Sequence, residues 1–213
     1  LSVAATMNIN ANVDEQGDVP TSCESDYLIT VTNTDRNDSK FSSAAYGTES
    51  IDLGAPGTSV CSIRPGNLTS CSLTGTSYSA PIVSGAIGLM YDSASDFLYQ
   101  EYLQNPSSTS LIIKNLILNT VDLISSLNDI TVSSGRLNLF NAVNAANQYD
   151  GSCIIVGDFN TDSYANIQDI ILIMNCILSE CNDEEIVCMD LNDDSQIDIF
   201  DIIVLVDIVI NRL

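Results

Sequence analysis

Short apolar blocks separated by polar loops run through the first 148 residues, and then the pattern changes. Leu1 to Ala5 is a small apolar run that reads as a buried strand. A polar loop rich in Asn, Asp and Gly follows from Asn8 to Asp18. Tyr27-Leu-Ile-Thr-Val31 is β-rich and bounded by polar residues, which predicts a second strand. Ser50 to Leu53 reads as a short third strand, ended by a Gly54-Ala-Pro-Gly57 turn. Ser77 to Tyr91 is apolar nearly all round, the signature of a buried helix, and its small residues Ser84, Gly85, Ala86 and Gly88 predict close packing under the sheet. Residues 110–119 and 137–147 read as two more helices. Strands separated by helices argue for an α/β unit with a parallel sheet over residues 1–148.

Residues 148–152 read as a linker, and a tandem repeat fills 149–213. Asp158-Phe-Asn-Thr-Asp-Ser-Tyr-Ala-Asn-Ile-Gln-Asp169 leads into an apolar helix, Ile170 to Leu178. Asp190-Leu-Asn-Asp-Asp-Ser-Gln-Ile-Asp-Ile-Phe-Asp201 leads into another, Ile202 to Ile210, and the two copies stand 32 residues apart. This second unit is small and all-α.

Charge sharpens the division. The chain carries 28 acidic residues against 6 basic ones, a net charge of -22. Nucleic-acid binding needs a basic footprint, and this chain has none. Residues 150–213 hold 14 of the acidic residues and one basic residue, Arg212, a concentration that favours cation sites over a merely solvated surface. No apolar run is long enough to span a membrane. Without an initiator Met or a leader at Leu1, the chain reads as trimmed at its front. Seven cysteines without CxxC spacing argue against a zinc ribbon and suit an exported, disulfide-bearing protein. Cys61 and Cys71 flank the loop leading to Ser77 and could close a short ring, stabilising on the order of 3 kcal/mol. Cys23 would then be left over, while Cys153, Cys176, Cys181 and Cys188 allow several pairings.

Gly75-Thr-Ser-Tyr-Ser-Ala-Pro81 has a specific mechanical sense. Gly75 permits a tight backbone approach, and Ser77 stands at the mouth of the buried helix, where free amides face negative charge. Pro81 falls in the first turn, where its missing amide costs little. Read alone, this is also a serine capping a Gly-rich helix start. Gly75-Thr76-Ser77 with Ala80-Pro81, Val83 and Gly85 resembles the nucleophile motif of subtilisin-like serine proteases. Phe41-Ser42-Ser43, Gly47, Ile51-Asp52-Leu53 and Ala55-Pro56-Gly57 resemble the family's approach to it, in order. Residues 113–120 and 135–142 resemble its closing helices, and Val3 to Asn8 its strand ending in the oxyanion-hole asparagine. The resemblance spans residues 1–148 and implies the carboxyl-terminal part of a subtilisin-like sheet. It implies Ser77 as nucleophile and Asn8 as oxyanion donor. Thr6 and Met7 stand where Ala-Gly is usual, and Tyr78 and Ile82 where Met and His are commoner. The chain has no histidine, so the resemblance also implies that base and orienting acid come from the N-terminal half of the same protease.

The repeats offer hard oxygens at alternate positions, as calcium loops do. At loop positions 1, 3, 5, 9 and 12 stand Asp158, Asn160, Asp162, Asn166 and Asp169, then Asp190, Asn192, Asp194, Asp198 and Asp201. Tyr164 and Gln196 at position 7 would contribute backbone carbonyls, and Ser163 and Ser195 replace the usual turn glycine. The duplicated loop–helix form, closed by Asp, resembles a dockerin module, which implies bound calcium and a cohesin-like partner. Ile167-Gln168 and Ile199-Phe200 differ from the Ser-Thr pair of many cellulosomal dockerins, so a structural, calcium-stabilised terminus is equally open. The whole therefore reads as a secreted, extracellular serine endopeptidase acting on polypeptides, with a calcium-dependent tail. The rival is a catalytically dead protease scaffold serving as a calcium-dependent interaction protein.

Overall fold

The computed structural model describes residues 1–151, 156–159, 165–179, 189–192 and 194–211. A five-stranded sheet forms the frame, in the order β1 (Ser2–Ala5), β2 (Leu28–Thr34), β3 (Leu53–Pro56), β7 (Gly135–Arg136), β6 (Asp122–Leu123). The pairings are parallel from β1 to β7 and antiparallel only between β6 and β7. The remaining strands, β4 (Val60–Arg64) and β5 (Leu68–Leu73), form a separate antiparallel hairpin.

β2 lies at the centre of the packing, buried on both faces as parallel strands are. Ile29 and Val31 face one way, into a core with Leu53, Ala55 and residues of four helices: α2 (Thr76–Asp92), α3 (Asp96–Gln104), α4 (Pro106–Asn119) and α5 (Leu139–Gln148). The alternate residues Thr30, Thr32 and Thr34 are buried too. Thr30 Oγ1 donates to Asp52 and Thr32 Oγ1 to the Ala45 carbonyl, so these two hydroxyls are satisfied within the fold, whereas Thr34 Oγ1 has no partner among the described residues. A four-residue helix, α1 (Val13–Gln16), carries Val13 against Ala45 and Ile51.

Two expectations need correction, and a further helix, α3, goes beyond them. The third strand runs over Leu53–Pro56, not Ser50–Leu53. The residues read as a turn are the strand, because Gly54 and Ala55 pair with Thr32 and Asn33 of β2 and the chain turns only at Gly57. Of the small residues on α2 expected to pack closely under the sheet, Ala86 does so, but Ser84, Gly85 and Gly88 do not. Ser84, Gly85 and Gly88 face away from the sheet, with no atom within 4 Å of where a Cβ of either glycine would stand. Val83, Ala86, Ile87 and Met90 make the contact with the core instead. The helix is therefore buried on one side, and Pro81, Ile82, Gly85, Gly88 and Leu89 are exposed along the other. Finally, α3 begins at a Ser95 cap whose Oγ accepts from the Leu98 N–H, and only Leu98 of the helix is buried. Its apolar stripe is too thin to read from periodicity.

The tail has a core of its own. Helices α6 (Ile167–Ser179) and α7 (Ile199–Asn211) pack through Ile173, Cys176 and Leu205, joined by Met189, Phe159 and Leu191. Among the described residues, no helix is long and apolar enough to cross a membrane.

Candidate active site and acidic loops

The start of α2 is gripped from two strand ends. From the β3 side, Gly57 O accepts the Gly75 N–H at 2.9 Å, and Ser79 Oγ donates to Ala55 O at 2.9 Å. A Cβ at Gly57 would lie 2.1 Å from Ser79 Oγ and 2.8 Å from Gly75 O, so only glycine allows this approach. From the β1 side, Thr76 Oγ1 donates to Thr6 O, and the Thr76 N–H donates to Asn8 Oδ1 at 2.9 Å. Gly75 itself has φ 154 and ψ 158, a region essentially confined to glycine.

These bonds orient Asn8. A backbone N–H can only donate, so the carboxamide must present its oxygen to Thr76 and turn its Nδ2 away. Among the described residues, no acceptor engages that Nδ2, and no group engages the Ser77 hydroxyl or amide. Ser77 is the second residue of a 17-residue helix, where the amide has no partner within the helix and the dipole favours negative charge. The structure thus brings Asn8 onto Thr76, the residue before Ser77, across 68 positions of chain. Thr76 and Thr6, which join Asn8 to the helix start, were legible only as motif neighbours. Thr6 takes the place of a usual Ala without disturbing the strand end, because its hydroxyl has its own acceptor in Asp18.

The hairpin leading to this site is stapled by the expected Cys61–Cys71 disulfide, and Cys23 is an exposed free thiol. Cys176 is also disulfide-bonded.

In the tail, Asn160, Asp162 and Tyr164 lie outside the described residues. The rest of the second loop folds inward on itself. Asp190 accepts from the Asp194 and Ser195 N–H groups, Asn192 Oδ1 from the Asp194 N–H, and Asp194 Oδ1 from the Gln196 N–H. Ser195 sits at φ 67, the left-handed conformation a glycine would supply there. The last aspartate of each loop is fully buried and acts as a latch. Asp169 takes the Phe159 and Asn166 N–H groups, and Asp201 takes those of Leu191, Asn192 and Asp198. Among the described residues, the two closing aspartates therefore share one bonding plan. Among the described residues, no three His, Cys, Asp or Glu side chains gather into a metal cluster. The side-chain donors of the loops among the described residues are oxygens, which fits calcium chemistry better than that of a transition metal.

The sequence profile of the Subtilase family matches residues 1–152. The chain belongs to the subtilase family. It is 36% identical to thermitase of Thermoactinomyces vulgaris over 115 residues, covering 54% of this chain and 36% of thermitase. Subtilisin BL of Lederbergia lenta is 36% identical over 95 residues, 45% of this chain and 30% of that protein. The subtilase chain thus spans about a third of the length of these curated relatives. Among solved structures, the A-subunit of the AB5 toxin from E. coli superposes with a TM-score of 0.55 at 22% identity, over 68% of this chain and 50% of that one. At that identity the likeness speaks for the fold alone.

Proposed function

We propose that the protein carrying this chain is a subtilisin-like serine endopeptidase that cleaves polypeptides through an acyl-enzyme on Ser77. The Ser77 oxygen attacks the scissile carbonyl, and its proton passes by way of a base to the leaving amine. Water then releases the acyl group and restores the hydroxyl. The Asn8 Nδ2 and the Ser77 N–H receive the oxyanion. The observation that carries this reading is the Asn8 carboxamide, held by its oxygen so that its donor end is free beside the helix start.

Base and orienting acid would come from the N-terminal half of the same protease. Two surfaces suit that half. Among the described residues, β1 ends the sheet with an unpaired edge, and the open side of α2 presents Pro81, Ile82, Gly85, Gly88 and Leu89, where glycines leave room for close backbone approach. Disulfides at Cys61–Cys71 and Cys176 support an extracellular setting.

The tail, in this reading, is a dockerin-like module that binds calcium in its two loops. Asp190, Asn192, Asp194, Asp198, Asp201 and the Gln196 carbonyl would hold one ion. Asp158, Asn160, Asp162, Asn166, Asp169 and the Tyr164 carbonyl would hold the other. One observation favours docking over a purely structural terminus. Exposed Ile167, Ile171, Met174 and Leu178 form a stripe on α6, and Ile199, Ile203, half-exposed Val206 and Ile210 repeat it on α7 at the 32-residue offset. A cohesin-like partner would cover such a surface.

A fluorophosphonate probe on the full-length protein tests the peptidase reading. Labelling that disappears in Ser77→Ala supports it, and folded wild type that never labels favours the dead-scaffold alternative. For the tail, calcium added to chelated protein should raise helix content, and unchanged helicity would count against the loops.

A further inference from the structure

We infer that Asp18 is a positioning residue for the oxyanion donor Asn8, acting through Thr6 and Met7; the inference rests on the peptidase reading above. A single oxygen, Asp18 Oδ2, accepts from Met7 N–H at 2.9 Å, Thr6 Oγ1 at 3.1 Å and Thr21 Oγ1 at 2.8 Å. Thr6 and Thr21 are each only 3% exposed, so their hydroxyls have little recourse to water and hold this acceptor firmly. Three donors on one oxygen call for a carboxylate, since charge-assisted bonds are about twice as strong as neutral ones.

The effect is to close the polar loop of residues 8–18 back onto its own first residues. Met7 is clamped on both sides of its peptide, its N–H by Asp18 and its carbonyl by the Ala45 N–H at 3.1 Å. Thr6 is clamped too, with its hydroxyl on Asp18 and its carbonyl receiving Thr76 Oγ1. Asn8 is the next residue, exposed and at the start of a loop, and its own backbone makes no strand pairing. Its side chain reaches Thr76 only if the backbone at 6–7 is fixed. A bonded path therefore runs from Asp18 through Thr6 and Thr76 to the Asn8 carboxamide. An oxyanion donor works by being in place before charge develops, so looseness here falls on the transition state rather than on binding.

The sign of the alternative is opposite. If Asp18 acted merely as a negative charge near a developing oxyanion, removing it would speed the reaction. If it acted merely in folding, its loss would matter equally with or without Asn8.

The test is the phosphonylation of Ser77 by a fluorophosphonate in the full-length protein, resolved into the maximal rate kinact and the half-saturating concentration KI. Asp18→Ala should lower kinact about 10- to 100-fold, the scale expected for a misplacement near 1 Å, with KI changed by less than about twofold. Thr6→Val, which keeps volume but deletes one donor, should show a smaller loss of the same kind. Asp18→Asn, which keeps an acceptor, should recover part of the rate. In an Asn8→Ala background, Asp18→Ala should have no further effect, because the group it positions is gone. Unchanged or faster labelling in folded Asp18→Ala and Thr6→Val, or an Asp18 effect that persists in full without Asn8, would overturn the inference. A wild-type protein without Ser77-dependent labelling would overturn the peptidase reading along with it.

Discussion

The two halves of this chain build their sites in opposite ways. In the subtilase half, the helix start is assembled from β1, from the Asp18 loop, from the exit of β3 and from α2, held by bonds between residues 68 apart. In the tail, each acidic loop is assembled from neighbours, and one buried aspartate latches the loop from which its own helix springs. A long-range site depends on the whole sheet and cannot be dissected into parts. A local loop can be damaged singly, and its twin should survive.

That contrast can be broken at several points. Apart from loss of the Asn8 carboxamide itself, the largest effect is expected from Gly75→Ala. It would force a side chain into a glycine-only conformation at a strain of about 1–3 kcal/mol. Its Cβ would also stand 3.2 Å from Asn8 Oδ1, so Ser77 labelling should drop by more than about tenfold. If labelling survives, the grip on the helix start is looser than its geometry implies. Next comes the tail. Asp201→Ala strands three amide donors that its carboxylate now accepts, and should destabilise the tail by roughly 3 kcal/mol in chemical denaturation. The subtilase half should melt unchanged. Asp169→Ala should behave alike but act on the first loop, and any loss of Ser77 labelling in either variant would erase the distinction between halves.

A smaller, confined effect is expected for Cys61→Ala/Cys71→Ala. An isolated two-stranded hairpin is marginal by itself, so amide exchange should accelerate across residues 60–73. Protection at Ile29 and Val31 should hold. The smallest effect is set by pH. Burial opposes ionisation of Asp14, but hydrogen bonds from Ser50, Glu49 and Thr48 outweigh it and hold its carboxyl below the ordinary value of 3.8. The folded state therefore releases this proton more readily than the unfolded chain. The resulting stabilisation is complete above that value and fades as pH falls through the lowered one. Asp14→Asn should flatten that acid limb slightly and leave stability at pH 7 less pH-dependent by no measurable amount.

What the sequence disclosed follows the same contrast. The acidic repeat of the tail is visible from spacing alone, since alternate oxygens and the 32-residue offset are properties of consecutive residues. β1, β2, α2 and α5 were legible because their apolar runs are long or bounded by clear turn residues. The position of β3 was misjudged because Gly54-Ala-Pro-Gly57 carries turn chemistry, yet pairing with β2 overrides that preference. The facing of α2 was misjudged for a related reason. Small residues in a helix admit close packing on any side, and composition does not say which side receives it. Asn8 and Ser77 stand out as candidates through the order of their motifs. Asp18 does not, because a carboxylate in a polar loop has no local pattern that betrays three distant donors.

The most direct test is Asn8→Ala in the full-length protein, measured as kinact and KI for fluorophosphonate labelling of Ser77. On the proposed peptidase reading the carboxamide is held ready for charge that appears only during reaction, so kinact should fall while KI stays within about twofold. Loss of one such donor is known from subtilisin itself to cost turnover roughly 10²–10³-fold, and a fall of that order is the expected result. Equal kinact in Asn8→Ala and wild type would contradict the account.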